Sequence, residues 1–109
     1  MHTAEMQPLA QFDEDGLLVN PEAWNEALAR DIARRHGVVE LTDAHWKVIE
    51  TLRKHYARFG AAPAMIQVCR LHGMDRHWVH DLFNTCLNAW RVAGLPNPGE
   101  EAKTYLSST

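Results

Sequence analysis

Cysteine is scarce in this chain, and long apolar runs are lacking. The sequence of 109 residues holds two cysteines, Cys69 and Cys86, and they form no C-x-x-C motif. This spacing excludes a disulfide framework and a cysteine-rich zinc site. No stretch approaches the ~20 apolar residues that a membrane-spanning helix needs, and the N-terminus lacks the features of a signal peptide. We therefore expect a cytoplasmic protein without membrane contacts.

Excess positive charge is also lacking. Fourteen acidic residues against eleven basic ones give a formal net charge of -3, so any contact with nucleic acid must be local. The sequence has neither a glycine-rich phosphate loop nor a serine-hydrolase motif, and we expect no cofactor and no catalytic triad. His77 and His80 are three residues apart on a predicted helix, but no third ligand with suitable spacing joins them. We therefore expect no metal site.

Helical patterning is what the sequence does contain, and 46% hydrophobic residues suffice for one core. Turn and cap residues separate amphipathic segments, which predicts a mainly α fold, a four-helix orthogonal bundle. A short β-hairpin is expected before it, around the turn at 13–16, and adds a small β component. The predicted helices run from Asn20-Pro21 to His36, from Thr42 or Asp43 to Gly60, from Pro63 to His72, and from Asp75 to Gly94.

The third and fourth predicted helices resemble a helix-turn-helix pair. The small residue Cys69, the turn glycine Gly73 and the aliphatic Val79 have the spacing that lets two helices cross closely. Basic residues cluster around this turn and are candidate contacts to nucleic acid or another anion: Arg70, Arg76, His77 and His80. A DNA-binding regulator is therefore one alternative, and a pair that serves packing alone is the other.

The fourth predicted helix ends abruptly. Gly94 suits a helix C-terminus, and Pro96 and Pro98 prevent the helix from continuing. The sequence therefore predicts two parts, a helical domain over residues 1–94 and a C-terminal arm over residues 95–109.

Several sequence blocks together resemble the DsrC/TusE family, small sulfur-relay proteins related to the gamma subunit of dissimilatory sulfite reductase. The blocks are Asp13-Glu14-Asp15-Gly16-Leu17-Leu18, Trp24, Gly37-Val38-x-x-Leu41-Thr42, His45-Trp46-x-Val48-Ile49, Leu52-Arg53-x-x-Tyr56, Pro63-Ala64, Leu82-Phe83 and Ala93-Gly94-Leu95-Pro96-x-Pro98. The resemblance implies a helical fold with an N-terminal hairpin and a mobile arm. It also implies sulfur-transfer or sulfite-reductase-type partners, contacted through the arm residues Gly94, Leu95, Pro96 and Pro98.

The chain departs from this family where the chemistry is expected. In the family a cysteine near the end of the arm carries sulfur as a persulfide, and the family is labelled sulfurtransferase. Here Glu101 and Trp90 occupy the positions of the family's arm cysteines. Cys86 is the nearest remaining thiol, but its place on an apolar helix face predicts burial and a raised thiol pKa. We therefore expect a partner-binding or regulatory module rather than an enzyme by itself.

Overall fold

A computed structural model describes residues 9–109, and these form a mainly α fold, as predicted. A short 3₁₀ helix at Pro21–Ala23 comes first. Six α-helices follow: α1 (Glu26–Arg35), α2 (Asp43–Phe59), α3 (Met65–Leu71), α4 (Trp78–Phe83), α5 (Cys86–Val92) and α6 (Glu100–Ser107). Helix α5 packs against α1, α2, α4 and α6, so it is the element around which the core is assembled.

Helix α2 matches its prediction closely. The Thr42 side chain and the His45 ring cap its N-terminus reciprocally, and Gly60 ends it with a left-handed φ of 67°. The ring of His45 accepts the Thr42 N–H at 3.0 Å through Nδ1. Its Nε2 is 2.8 Å from the Leu82 carbonyl oxygen, which assigns the proton to Nε2. His45 is therefore a buried packing residue, as expected.

The first predicted helix is interrupted. The chain leaves helical geometry at Trp24, and α1 begins after Asn25, whose side chain accepts the Leu28 N–H at 2.8 Å. Asn20 does not cap the helix as predicted, because its amide group bonds to Gln11 N and the Leu9 carbonyl oxygen. The break frees the Trp24 side chain for contacts far along the sequence.

The prediction of an N-terminal β-hairpin is wrong. Among residues 9–109 the structure contains one isolated antiparallel bridge, between Phe12 and Leu18, and no strand. The Asp13 carboxylate accepts the N–H groups of Asp15 and Leu17. The Asn20 side chain bonds to the Gln11 N–H and the Leu9 carbonyl oxygen, two backbone groups that a partner strand would otherwise bond. Side chains thus take the hydrogen bonds that a longer ladder requires.

The predicted fourth helix is two helices, so the four-helix count is also wrong. Asn84 adopts a left-handed φ of 73°, which ends α4, and the Thr85 side chain accepts the Asn88 N–H at 3.0 Å to start α5. Asn88 is buried and donates from Nδ2 to the Phe83 carbonyl oxygen at 2.9 Å. Helices α3 and α4 are in contact, but α4 begins at Trp78 and not beside Asp75.

The C-terminal arm is not an extended tail. Gly99, with a φ of 100°, precedes α6, and this helix returns to the core with Leu106 fully buried. The sequence predicted no helix within the arm of residues 95–109, so the prediction missed α6. Throughout the described range, no helix is both long and apolar enough to cross a membrane.

Candidate functional site

The arm leaves the core through a tight turn at Gly94. Its φ is 72°, and a Cβ built there would lie 2.0 Å from Cδ1 of Trp24. A Cβ at this position would overlap the Trp24 ring. The position therefore needs glycine, both for the backbone conformation and for the space. The indole ring of Trp24 thereby fixes where the arm begins.

Trp24 and Arg53 hold this turn from two other parts of the chain. The Trp24 indole donates to the Val92 carbonyl oxygen at 3.0 Å, and Arg53 donates to the Ala93 carbonyl oxygen at 2.7 Å. The Arg53 guanidinium lies 3.8 Å from the centre of the Trp24 ring, which is close cation–π contact. Burial lowers the pKa of Arg53 from its ordinary value, although an arginine remains charged at neutral pH.

Trp90 is one of the two residues that the resemblance places at family cysteine positions, and its side chain bonds to the segment that follows the turn. Its side chain is fully buried, and its indole donates to the Pro96 carbonyl oxygen at 2.7 Å. Its ring meets Tyr56 edge-on at 5.9 Å. The four side chains Trp24, Arg53, Tyr56 and Trp90 are called the arm base below.

The predicted partner-contacting residues differ in their accessibility. Gly94 and Leu95 are buried, whereas Pro96 and Pro98 are half-buried. Pro96 also borders a cleft of about 220 Å³ beside Arg53 and Tyr56. Pro96 and Pro98 are therefore accessible at the surface, whereas Gly94 and Leu95 belong to the buried part of the turn.

Helix α6 is attached by a few polar contacts and one buried leucine. Lys103 Nζ contacts Asp15 Oδ2 at 2.6 Å and Glu100 Oε2 at 2.9 Å. These bonds, first of all the one to Asp15, raise the pKa of Lys103 well above its ordinary value. The Tyr105 hydroxyl accepts the Met65 N–H at 3.1 Å, so α6 also caps the start of α3.

Glu101 and the two thiols lie in contrasting surroundings. Glu101, which the sequence resemblance places at the second family cysteine position, is exposed in the first turn of α6. Cys69 is 0% and Cys86 3% exposed, as the sequence predicts. Burial raises the pKa of the Cys86 thiol, although a hydrogen bond with the Thr109 side chain acts in the opposite direction. A raised pKa lowers the thiolate fraction that reacts as a nucleophile.

The basic residues near Gly73 are only partly brought together. Arg76, His77 and His80 line one cleft, and Arg70 does not line it. Helix α4 has six residues and begins after Arg76 and His77, so these two side chains do not lie on a long recognition helix. The DNA-binding alternative therefore gains no support from the fold.

Sequence reasoning missed the arm base as a cluster. Trp24 lies in one block of the resemblance and Arg53 and Tyr56 lie in another, and only folding brings them to the Gly94 turn. The signal in the sequence was the resemblance itself, since its blocks contain the residues that meet here.

These features define a class, the small helical proteins whose C-terminal segment leaves the core through a glycine turn anchored by packed aromatic side chains. Residues 6–100 match the family described as DsrC like protein. The chain therefore belongs to the DsrC/TusE family of sulfurtransferases.

Curated relatives and solved structures agree with this family. The chain is 35% identical over 99 residues to a "Sulfurtransferase TusE homolog" from Haemophilus influenzae, with 83% of this chain and 90% of the relative covered. It is 34% identical to "Sulfurtransferase TusE" from Sodalis glossinidius, covering 79% and 87%. The oxidized gamma-subunit of the dissimilatory sulfite reductase (DsrC) from Archaeoglobus fulgidus is similar with a TM-score of 0.73 and 31% identity, covering 84% and 90%.

Proposed function

We propose that this chain is a sulfur-relay family protein that binds partners without carrying sulfur on its arm. The observation that carries the proposal is the side chain at each family cysteine position. Glu101 is an exposed carboxylate, and Trp90 is a buried indole bonded to Pro96. Neither side chain can form a persulfide.

The two remaining thiols are poorly suited to replace the arm cysteine. To take up sulfur, a thiolate must attack the outer sulfur of a donor persulfide, which then leaves as a thiol. Cys69 and Cys86 are buried, and burial raises the pKa of Cys86. Slow attack and restricted access both argue against carriage at these positions.

Partner binding would use the arm, residues 95–109, presented by the domain of residues 1–94. The rigid arm base places Pro96 and Pro98 at the surface, which reduces the entropy that a partner must overcome. The partner class we propose is a sulfur-transfer or sulfite-reductase-type protein, the class that the names of the relatives and the structural neighbours carry.

A persulfide-transfer assay tests the absence of carriage. The native protein is incubated with a small-molecule persulfide, and the intact mass and peptide masses are measured. We expect no cysteine to gain the mass of a sulfur atom. The matched control is Glu101→Cys, which should gain one sulfur because it places an exposed thiol in the first turn of α6.

A stable sulfur adduct at Cys86 or Cys69 of the native protein would contradict the proposal. Binding is tested separately with a purified sulfur-transfer protein from the same cell. Wild type and Glu101→Cys should bind it with similar affinity, because the proposed contact does not require a thiol. Binding by Glu101→Cys alone would show that recognition depends on sulfur chemistry after all.

A further inference from the structure

A second cleft, away from the arm base, lies between α3, the segment around α4, and α6. Its volume is about 470 Å³, within the range of pockets that hold small molecules. Arg76, His77 and His80 line this cleft together with Met65 and Ile66. The cleft therefore combines basic and apolar side chains.

The basic side chains of this cleft contrast with the net negative charge of the chain. The formal net charge is -3, and among residues 9–109 no carboxylate forms an ion pair with Arg76. Arg76 Nε donates to His77 Nε2 at 3.4 Å, which leaves its terminal nitrogens for another acceptor.

Neighbouring carboxylates offset this charge only in part. Asp75 accepts the His77 N–H at 2.8 Å, and Asp81 lies 3.4 Å from the His80 ring. Neither aspartate lines the cleft, so a ligand inside it meets the basic side chains first.

The apolar side chains of the same cleft can contact a nonpolar part of a ligand. Ile66 is 37% exposed and borders the same space as Met65 and the Cys86 side chain. The Met65 N–H is already bonded to Tyr105, so the start of α3 is not available as an anion site. Recognition of an acidic group must come from Arg76, His77 and His80.

We propose that this cleft binds a small organic anion, with the acidic group against Arg76, His77 and His80 and a short apolar part against Met65 and Ile66. Tyr105 of α6 and Ser108 directly after it line the same cleft, and the family match ends at residue 100. The site is therefore completed by a segment beyond the matched region. Glu101 does not line the cleft, so the proposal is independent of sulfur carriage.

Butanesulfonate is the probe, because it combines an acidic group with a short apolar chain. Inorganic sulfate removes the chain and butanol removes the charge. Titrations on the full chain, followed by NMR, should show butanesulfonate shifting Ile66, His77 and His80 signals, with both partial probes binding more weakly. Arg76→Gln should weaken binding about tenfold, the scale of one charge-assisted hydrogen bond.

Arg70→Gln is the matched control, because it removes a nearby exposed arginine that does not line the cleft. It should change affinity less than about twofold if the contact is local. Equal losses in Arg70→Gln and Arg76→Gln would overturn the proposal. Signal shifts confined to Arg30 and Arg34, which do not line this cleft, would also overturn it. Duplex DNA that binds through Arg76 while butanesulfonate does not bind would replace a small-molecule site by a nucleic-acid surface.

Discussion

The base of the arm and the helix at its end are held in different ways. At the base, backbone carbonyls of residues 92, 93 and 96 accept hydrogen bonds from Trp24, Arg53 and Trp90. Helix α6 is held by Leu106, by the Tyr105 contact and by Lys103, which pairs with the half-buried Asp15 and with the largely exposed Glu100. The exposed pair with Glu100 contributes little to stability, so the base should be the firmer of the two.

This difference separates the part of the arm that lies within the family match from the part that lies beyond it. The match includes the base and ends at residue 100, just as α6 begins. A segment attached by one buried leucine and a few polar contacts can open locally while the rest stays folded. The comparison therefore predicts global loss of stability from changes at the base and local opening from changes in α6.

Gly94→Ala should produce the largest effect. Its Cβ would overlap the Trp24 ring, and the residue would keep a left-handed φ. Strain and overpacking together should lower the free energy of unfolding by about 3 kcal/mol, measured by urea denaturation.

Gly73→Ala is the control, because Gly73 has a similar φ of 71° but no atom within 4 Å of a built Cβ. Its cost should be about 1 kcal/mol, the conformational penalty alone. Equal costs at the two glycines would mean that the contact with Trp24 does not anchor the arm.

Leu106→Ala should have a smaller effect, confined to α6. The truncation removes the fully buried side chain of this helix and should cost about 2 kcal/mol, limited by what α6 contributes in total. Amide exchange should accelerate over Glu100–Ser107, and alkylation of Cys86 should accelerate with it because Thr109 covers that thiol.

Leu71→Ala serves as control, since Leu71 is 70% exposed and its truncation should leave exchange in α6 unchanged. The thiol of Cys69, which does not border the cleft, should keep its alkylation rate in Leu106→Ala. Faster exchange spread evenly over all helices would show that α6 and the core unfold as one unit.

Asp13→Asn should have the smallest effect and a definite pH dependence. Burial acts to raise the pKa of Asp13, but hydrogen bonds from Leu17, Asp15 and Asn97 outweigh it and bring the pKa below the ordinary 3.8. The ionised form is thus favoured by folding, so its contribution is present above the ordinary pKa and is lost as pH falls through the lower folded-state value.

The measurement is the difference in urea midpoint between wild type and Asp13→Asn. Wild type should be more stable at neutral pH, and the difference should shrink as the pH falls below the ordinary pKa of 3.8. Glu14→Gln is the matched control, because Glu14 is an exposed neighbour with the same charge. If the difference in urea midpoint stays constant with pH, the ionised carboxylate of Asp13 is not its cause.

Prediction from sequence succeeded where local signals and burial agree. The bounds of α2 follow from Thr42 and Gly60, and the buried face of α3, which contains Val68 and Cys69, follows from helical spacing. It failed where a side chain competes for backbone bonds. Asn20 and Asp13 take bonds that a hairpin would use, and Asn84 interrupts a continuous apolar stripe.

The candidate site was predicted in part. The turn at Gly94 and the burial of both thiols were expected, but the buried state of Leu95 and the return of α6 to the core were not. The apolar residues Tyr105 and Leu106 lie in a short polar segment, where periodicity alone does not reveal a docking face.

By itself the sequence determined that the chain is a mainly helical member of this family, because residue identity and local spacing suffice for both. Only the tertiary structure decided that Trp24, Arg53 and Trp90 meet at one turn, and that α6 closes a second cleft. The physical reason is that these contacts join residues far apart in the chain, and their geometry depends on how all the helices pack at once.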